Sequence, residues 1–306
     1  RFKIYEIMSV KYDVIIIGAG AAGMMSAIEA GKRGRKVLLV DHYKKIGEKI
    51  RISGGGRCNF TNIHTNPNKF LSQNPKFVRS ALSQYTQNDF INLINKYEIK
   101  FHEKKLGQLF CDHSAQQIVE MLLKECELAN VTIIKEFIIK NVTKENDQYL
   151  VSTETDKYSS QSLIIATGGL SVPKIGATSF GYEIAKKFDH DIIETLPALV
   201  PLTSTEKILE MCKELTGLSV EAIVSFNKTL FQEGMLFTHR GLSGPVILQI
   251  SNYWNPGDVI MIDLLPSIDI SNLLLKEKEK NPRTSIKRNL NNYLSKALVA
   301  ELEEIY

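Results

Sequence analysis

The sequence contains only four cysteines in 306 residues, and they lie far apart. None has the paired spacing of a structural zinc site or a CxxC redox motif, so we expect no metal centre. So few cysteines in a chain of this length are typical of a reducing compartment, and we expect a cytoplasmic protein. The cysteines are Cys58, Cys111, Cys126 and Cys212.

The sequence also lacks an apolar run of the kind that crosses a membrane. The apolar stretch at residues 14–28 has 15 residues and is interrupted by three glycines, whereas a spanning helix needs ~20. No small-residue cleavage site follows a continuous apolar stretch near the N-terminus, which argues against a signal peptide. We therefore expect no membrane partner, and we take Met8 as a candidate natural start.

The chain carries little excess charge of either sign, with 38 Lys and Arg against 34 Asp and Glu and a net charge of +4. A balance this mild argues against nucleic acid as a bulk partner, so we expect none. The composition is otherwise that of a globular protein, with 43% hydrophobic and 24% charged residues. At about 150 residues per domain, the length predicts two domains.

The order of the apolar segments predicts an α/β fold. Residues 12–17 and 37–40 are apolar, β-branched runs typical of strands buried on both faces, and residues 21–33 between them have helical composition. Helical patterns such as 76–97 and strand patterns such as 137–143 then alternate, which favours a parallel sheet. Near residue 196 the chain becomes more β-rich, and it ends in a charged helical segment. We therefore predict domains at 12–195 and 196–306, the second a smaller β-rich insertion.

The sharpest motif is GAGAAG at residues 18–23, between the first strand and the first helix. Gly18 allows a tight turn, Gly20 lets a pyrophosphate approach the backbone, and Gly23 lets the helix pack closely on the sheet. Asp41, 23 residues after Gly18, is placed to accept hydrogen bonds from ribose hydroxyls and to repel the 2′-phosphate of NADP. The motif reads only an ADP half, so FAD and NAD both fit. A glycine turn that binds nothing is the alternative.

A second glycine-rich segment, KIRISGGGRCNFTN, occupies residues 49–62. Three consecutive glycines leave room for a ligand against the backbone, and their N–H groups can form an anion-binding nest. Lys49, Arg51 and Arg57 add positive charge, which would favour a reduced, anionic flavin. A flexible surface loop with solvated charges is the alternative.

With these motifs, residues 13–62 closely resemble the bacterial aminoacetone-oxidase-type NAD(P)/FAD-dependent oxidoreductases. The family signature ISGGGRCN stands at residues 52–59, and the segments 165–182 and 234–245 are also similar to that family. The resemblance implies FAD held by a doubly wound, Rossmann-like α/β domain that a smaller β-rich domain interrupts. It also implies a longer chain with a third flavin-contacting segment beyond a point like Tyr306, so we expect an incomplete FAD-binding domain.

The resemblance further implies where FAD is contacted. The glycine motif faces the pyrophosphate, Asp41 the adenosine ribose and Ile139 the adenine. The loop at residues 53–59 lies near the isoalloxazine. The expected cofactor-binding residues are Gly18, Gly20, Ala22, Gly23, Asp41, Lys49, Ser53, Gly54, Gly55, Gly56, Arg57, Cys58, Asn59, Ile139, Thr167 and Gly168.

Two further side chains are weaker candidates for chemistry. His239 titrates near neutral pH and would act over the flavin as a proton donor or substrate contact; a hydrogen-bonded loop histidine is the favoured alternative. Cys58 stands next to Arg57, and a nearby cation could lower its pKa and make it reactive. A small packing residue is the favoured interpretation of Cys58.

Together these features predict an FAD-dependent oxidoreductase that transfers a hydride between flavin and a small organic substrate, with NAD(P)H or oxygen as the second redox partner. The alternative is a nucleotide-binding or interaction module without turnover, because the chain is shorter than the family it resembles. A flavoprotein that modifies RNA is a third possibility, which the mild net charge disfavours.

Overall fold

The computed structural model describes residues 10–305, so the candidate start at Met8 lies outside the described residues. The chain divides into two compact units, the first running to Ile193 and the second beginning at Glu194. The predicted boundary, between residues 195 and 196, lies two residues further along. That the second unit is an insertion, and that the first is incomplete, stay predictions.

The strands of the first unit form two sheets. They are β1 (Val10–Ile17), β2 (Val37–Val40), β3 (Asn59–Asn62), β4 (Phe101–Glu103), β5 (Gln108–Cys111), β6 (Thr132–Ile134), β7 (Asn141–Glu145), β8 (Gln148–Ser152) and β9 (Lys157–Ile165). The larger sheet has the order β6-β2-β1-β9-β8-β7, and the smaller sheet has the order β3-β5-β4.

The larger sheet is parallel on one side and antiparallel on the other. β1 pairs in parallel with β2 and β9, and β2 with β6. β7, β8 and β9 form an antiparallel meander. Helix α1 (Ala21–Lys32) is the crossover between β1 and β2, as the pattern of apolar segments predicts. This topology confirms the predicted α/β class.

The strands at the centre of the larger sheet are apolar because both faces are covered. Successive side chains of a strand point to opposite faces. Ile16 and Leu39 accordingly belong to the core on the side of α1, whereas Ile15 and Leu38 belong to the core that includes Phe137. All four of these aliphatic side chains are fully buried, which explains the lack of polar alternation in the sequence.

The remaining helices of the first unit are α2 (Glu48–Ile52), α3 (Arg79–Gln84), α4 (Gln87–Lys96), α5 (Gln116–Leu128) and α6 (Phe180–Lys187). The helical stretch predicted at 76–97 is divided into α3 and α4, because Thr86 and Asp89 form a capping box that starts a new helix. The strand predicted at 137–143 begins only at Asn141, since the Phe137 N–H is donated to the Asp41 carbonyl instead of to the sheet.

The second unit is an antiparallel sheet with helices. The sheet has the order β10-β13-β12-β11-β14, and its buried side chains pack with those of α7, α8 and α11. The strands are β10 (Leu202–Thr203), β11 (Ser219–Phe226), β12 (Thr229–Thr238), β13 (Gly241–Ser243) and β14 (Met261–Asp263), and the helices are α7 (Glu206–Glu214), α8 (Pro245–Ile250), α9 (Ile270–Lys280), α10 (Ile286–Leu290) and α11 (Lys296–Ile305). Across residues 10–305, no helix combines the length and apolarity needed to cross a bilayer.

A buried carboxylate joins three helices of the first unit. Glu125 of α5 is 2% exposed and accepts from the Lys96 ammonium at 2.7 Å and from the Tyr97 hydroxyl at 2.8 Å. Lys32 of α1 lies 3.0 Å from its second oxygen. Burial alone would raise the pKa of Glu125, but the hydrogen bonds from Lys96, Lys32 and Tyr97 lower it to about 2. The ionised form therefore stabilises the packing of α1, α4 and α5.

We expect Glu125→Gln to lower the free energy of unfolding by about 1–3 kcal/mol at neutral pH, because it removes charge-assisted hydrogen bonds. The folded-state pKa is lowered, so the contribution is complete above the ordinary pKa of 4.5 and is lost as the pH falls towards about 2. Urea unfolding across that pH range measures it. Glu127→Gln is the control, since Glu127 is exposed and pairs with Lys124 of its own helix. A constant difference between wild type and Glu125→Gln down to the acid limit would contradict the assignment.

Candidate functional site

A cavity opens where β1, β2 and β9 end at one edge of the larger sheet. Its volume is about 410 Å³, within the usual range for small-molecule sites. A second cavity of about 220 Å³ shares Gly18, Asp41 and Thr167 with it as lining residues. Ligands of open α/β sheets bind outside the carboxyl ends of the strands, so this edge is the candidate site.

Gly18 and Gly23 hold the turn between β1 and α1 against its neighbours. Gly18 has a φ of +104°, and a Cβ there would lie 2.4 Å from the carbonyl oxygen of Ala166. A Cβ on Gly23 would lie 1.7 Å from the carbonyl oxygen of Gly18. Gly23 is buried and lines neither cavity. It therefore shapes the turn and does not form part of the cavity surface.

The N-terminus of α1 faces the larger cavity. Gly20 is the N-cap, without a side-chain cap, and a Cβ on it would meet nothing within 4 Å. Gly20, Ala21 and Ala22 all line the cavity. The first N–H groups of a helix lack intrahelical partners, and together with the helix dipole they favour an anion at this end. This geometry supports the predicted position of a pyrophosphate.

Asp41 has a structural contact that the sequence does not reveal. Its Oδ2 accepts from the Ala19 N–H at 2.7 Å, and its Oδ1 accepts from the Tyr43 N–H at 2.8 Å. The side chain is 16% exposed and lines both cavities. A carboxylate has further acceptor sites beyond two hydrogen bonds. Asp41 therefore fixes the glycine turn and still presents an acceptor to the cavity, where ribose binding stays a prediction.

The triple-glycine loop contributes less of the cavity surface than the sequence predicts. Ser53 lines the cavity, but Gly54, Gly55, Gly56 and Arg57 do not. The three glycines all have positive φ, from +58° to +86°, and a Cβ on Gly54 would lie 2.7 Å from the Phe110 ring. The glycines turn the chain sharply over Phe110, and this turn brings Cys58 and Asn59 back to the cavity.

Lys49 connects two walls of the cavity. Its ammonium donates to the Gly169 carbonyl at 3.2 Å and to the Ser171 hydroxyl at 3.1 Å. Thr167 and Gly168, at the end of β9, line the cavity together with Lys49. The structure thus brings these three predicted residues to one place, with Lys49 as the cation on this side.

Cys58 lies in the cavity lining but is not an activated thiol. Its side chain is 6% exposed, and burial raises its pKa, an effect that a hydrogen bond with Ser53 only partly offsets. The predicted alternative of a thiol activated by neighbouring cations is therefore not supported. Cys111 lies next to Cys58 across β3 and β5, and burial raises its pKa to about 11. Cys58 at neutral pH is a protonated, packed side chain.

Ile139 lines the smaller cavity, not the larger one. Phe137, Ile138 and Phe180 form an apolar slot with it, and Asp41 lies at the slot's polar end. A flat, apolar slot beside a carboxylate fits an adenine and its ribose. The placement supports the predicted adenine contact.

His239 lies in the second unit, in the turn between β12 and β13, and its side chain is exposed. It lines neither of the two cavities described here, so a role over the flavin stays a prediction. Sequence reasoning also missed cavity residues from distant segments. Phe60 and Phe90 line the larger cavity, with ring centroids 6.1 Å apart, and no local pattern announces either one.

The residues present fit FAD as the cofactor implied by the fold. An apolar slot, a carboxylate and an anion-binding helix terminus follow one another in the order of adenine, ribose and pyrophosphate. The larger cavity continues beyond them to the apolar side chains of Met25, Phe60 and Phe90, where an aromatic ring system can pack. Among the residues that the structure describes, no cluster of three metal-ligating side chains is present.

Comparison with known proteins agrees with this interpretation. Residues 12–259 match the family model described as the HI0933-like protein Rossmann domain. The chain is 48% identical over 296 residues to the ribosomal RNA dihydrouridine synthase of Escherichia coli K12, and 44% identical over 299 residues to that of Haemophilus influenzae. It is 24% identical over 304 residues to the 3-dehydro-bile acid delta(4,6)-reductase of Clostridium scindens. These alignments cover 95–96% of the chain and 74% of each relative.

The family match confirms the Rossmann-like FAD-binding fold, the flavoprotein class and FAD as the cofactor. The aminoacetone-oxidase type is corrected, since these relatives carry other names. The expectation of no nucleic-acid partner is wrong, because two relatives are named for ribosomal RNA. The net charge of +4 misled because it averages over the chain: residues 42–80 contain eight Lys and Arg but one acidic residue, Glu48.

The two outer contacts of the glycine turn give a matched pair of variants. We expect Gly20→Ala to fold as the wild type does but to bind FAD about tenfold more weakly or worse, since its Cβ enters the cavity where the pyrophosphate approaches the backbone. Gly23→Ala should instead lower the free energy of unfolding by about 1–3 kcal/mol or more, because its Cβ overlaps the Gly18 carbonyl.

Chemical denaturation and flavin fluorescence titration separate the two effects. Normal FAD affinity in a folded Gly20→Ala variant would show that the pyrophosphate does not approach this turn. Unchanged stability of Gly23→Ala would show that the close approach of helix and turn is not needed.

Proposed function

The chain belongs to the HI0933-like Rossmann family, and we propose that it is an FAD-dependent reductase that forms dihydrouridine in ribosomal RNA. The observation that carries the proposal is 48% identity, over 96% of the chain, to a ribosomal RNA dihydrouridine synthase. At this extent the similarity includes both units and every cavity residue described above. A ribosomal RNA substrate also agrees with the expected cytoplasmic location.

Dihydrouridine differs from uridine by the saturation of one carbon–carbon double bond in the base. This change adds a hydride and a proton to the ring, and bound FAD supplies the two-electron transfer. Because uridine gains two electrons, the second redox partner has to be an electron donor. Of the two partners that the sequence leaves open, the reaction therefore favours NAD(P)H over oxygen.

The chain's own residues would bind and orient the two reactants. The N–H groups at the start of α1, beside Gly20, would hold the pyrophosphate, and Asp41 would hold the ribose. Ile139 would pack on the adenine. Phe60 and Phe90 line the cavity next to Cys58, and their apolar surface would exclude water from the place where the base is reduced.

A second candidate is the reduction of a double bond in a small molecule. The bile acid reductase similarity, at 24% identity over 95% of the chain, favours it. This candidate retains the same flavin chemistry and the small organic substrate expected from the sequence. It requires no contact with RNA outside the cavity.

The direct test is reduction of unmodified ribosomal RNA by the purified, FAD-loaded protein with NADPH or NADH. We expect nucleoside mass spectrometry to detect a uridine product heavier by two hydrogen atoms. The folded Gly20→Ala variant is the control, and it should lose the product together with FAD.

Two results would contradict the proposal. One is an FAD-loaded protein, reducible by NAD(P)H, that leaves every uridine of the transcript unchanged. The other is reduction of a small unsaturated ketone under conditions in which RNA is not a substrate, which would favour the second candidate. A protein that binds ADP but no flavin would favour a module without turnover.

A further inference from the structure

A long surface segment leaves the cavity and returns to it. It comprises residues 61–89, here called the excursion, between Phe60 and Phe90, whose rings line the cavity and lie 6.1 Å apart. The Gln87 side chain donates to the Ile63 carbonyl at 3.1 Å and joins its two ends. The excursion is therefore anchored at the cavity at both ends.

The excursion exposes aromatic rings to solvent. Phe77 is 77% exposed and Phe70 is 41% exposed. Leu71 and Tyr85 are exposed as well. Large apolar side chains that lie close together on a surface mark interaction sites more often than isolated ones do. This grouping within one short segment indicates a partner.

The charges of the excursion have one sign. Lys69, Lys76 and Arg79 are exposed, and none of them forms an ion pair with another residue in the range 10–305. The acidic residue of the excursion is Asp89, and its carboxylate accepts from the N–H and hydroxyl of Thr86 in the capping box of α4. The free charge of this surface is thus positive.

Each exposed phenylalanine stands beside a cation. Lys69 precedes Phe70, and Lys76 precedes Phe77. Rings that alternate with unpaired cations match a partner with flat stacking faces and regularly spaced phosphates, which is single-stranded nucleic acid. Protein interfaces are depleted of lysine, and a membrane-surface helix needs a longer apolar face than the six residues of α3 provide.

We propose that the excursion binds single-stranded RNA, with Phe70 and Phe77 stacking on unpaired bases and Lys69, Lys76 and Arg79 contacting phosphates. An enzyme that modifies a base has to take that base out of its stack. A strand held at the mouth of the cavity, on a segment anchored at Phe60 and Phe90, presents its neighbouring base to the cavity. This last step rests on the proposed function, whereas the binding of the strand does not.

The test uses the full-length, FAD-loaded protein and a fluorescent oligouridylate strand. We expect Phe77→Ala to weaken binding about tenfold, the effect of losing one stacked base. The double variant Lys76→Glu, Arg79→Glu should weaken binding further, and it should lower the slope of log affinity against log salt by about 0.7 for each lost phosphate contact. Flavin content and thermal unfolding establish that the variants are folded.

Two matched controls lie elsewhere in the first unit. Leu128→Ala removes an apolar side chain that is 61% exposed at the end of α5. Lys157→Glu reverses an exposed charge at the start of β9, roughly 26 Å along the strand from its cavity end. Both controls should bind the strand as the wild type does.

The inference is overturned if the wild type does not bind the oligouridylate, or if the excursion variants bind it as well as the controls do. Binding to phosphatidylglycerol vesicles that is lost in the excursion variants, with RNA binding unchanged, would overturn it in favour of a lipid partner. Ribosomal RNA reduction that is equal in all variants would overturn it and leave the proposed function standing. RNA binding that depends on the excursion, without any dihydrouridine formed, would sustain the inference and remove the proposed function.

Discussion

The site depends on one steric constraint, the absence of a Cβ where three backbone segments meet. The turn after β1 passes within contact distance of the end of β9, because Gly18 leaves no side chain between it and the Ala166 carbonyl. The start of α1 then packs against the same turn through Gly23. This contact aims the N-terminus of α1 into the cavity, and Asp41 fixes it by accepting from the Ala19 N–H. The anion-binding end of the helix and the carboxylate beside it are consequences of the same close packing.

The features predicted well from the sequence are those with a local cause. The β1–α1–β2 unit lies within two residues of its predicted bounds, because continuous apolar runs and glycine punctuation act over a few positions. The features that were missed depend on contacts between distant segments. The second hydrogen-bonding role of Asp41 requires Ala19, and the course of Gly54 requires Phe110. A triple glycine indicates an unusual backbone, but it does not say whether that backbone faces a ligand or another side chain.

The expectation about RNA failed for a different physical reason. Net charge governs the field far from a protein, whereas a nucleic acid at the surface responds to the charges within about one Debye length. The acidic residues that balance the chain lie mostly outside residues 42–80. The exposed rings of the excursion are equally invisible to composition, because burial decides whether Phe77 packs in a core or faces solvent. Local charge and exposure together therefore say more about a partner than the total does.

The central claim, that the turn after β1 holds the ADP half of FAD, is tested most directly by competition. Apoprotein is titrated with FAD while ADP or flavin mononucleotide is held at increasing concentrations. We predict that ADP and FAD exclude one another, with the apparent Kd of FAD rising in proportion to the ADP concentration, and that flavin mononucleotide, which lacks the ADP half, competes far more weakly. FAD binding that is insensitive to saturating ADP would contradict the claim.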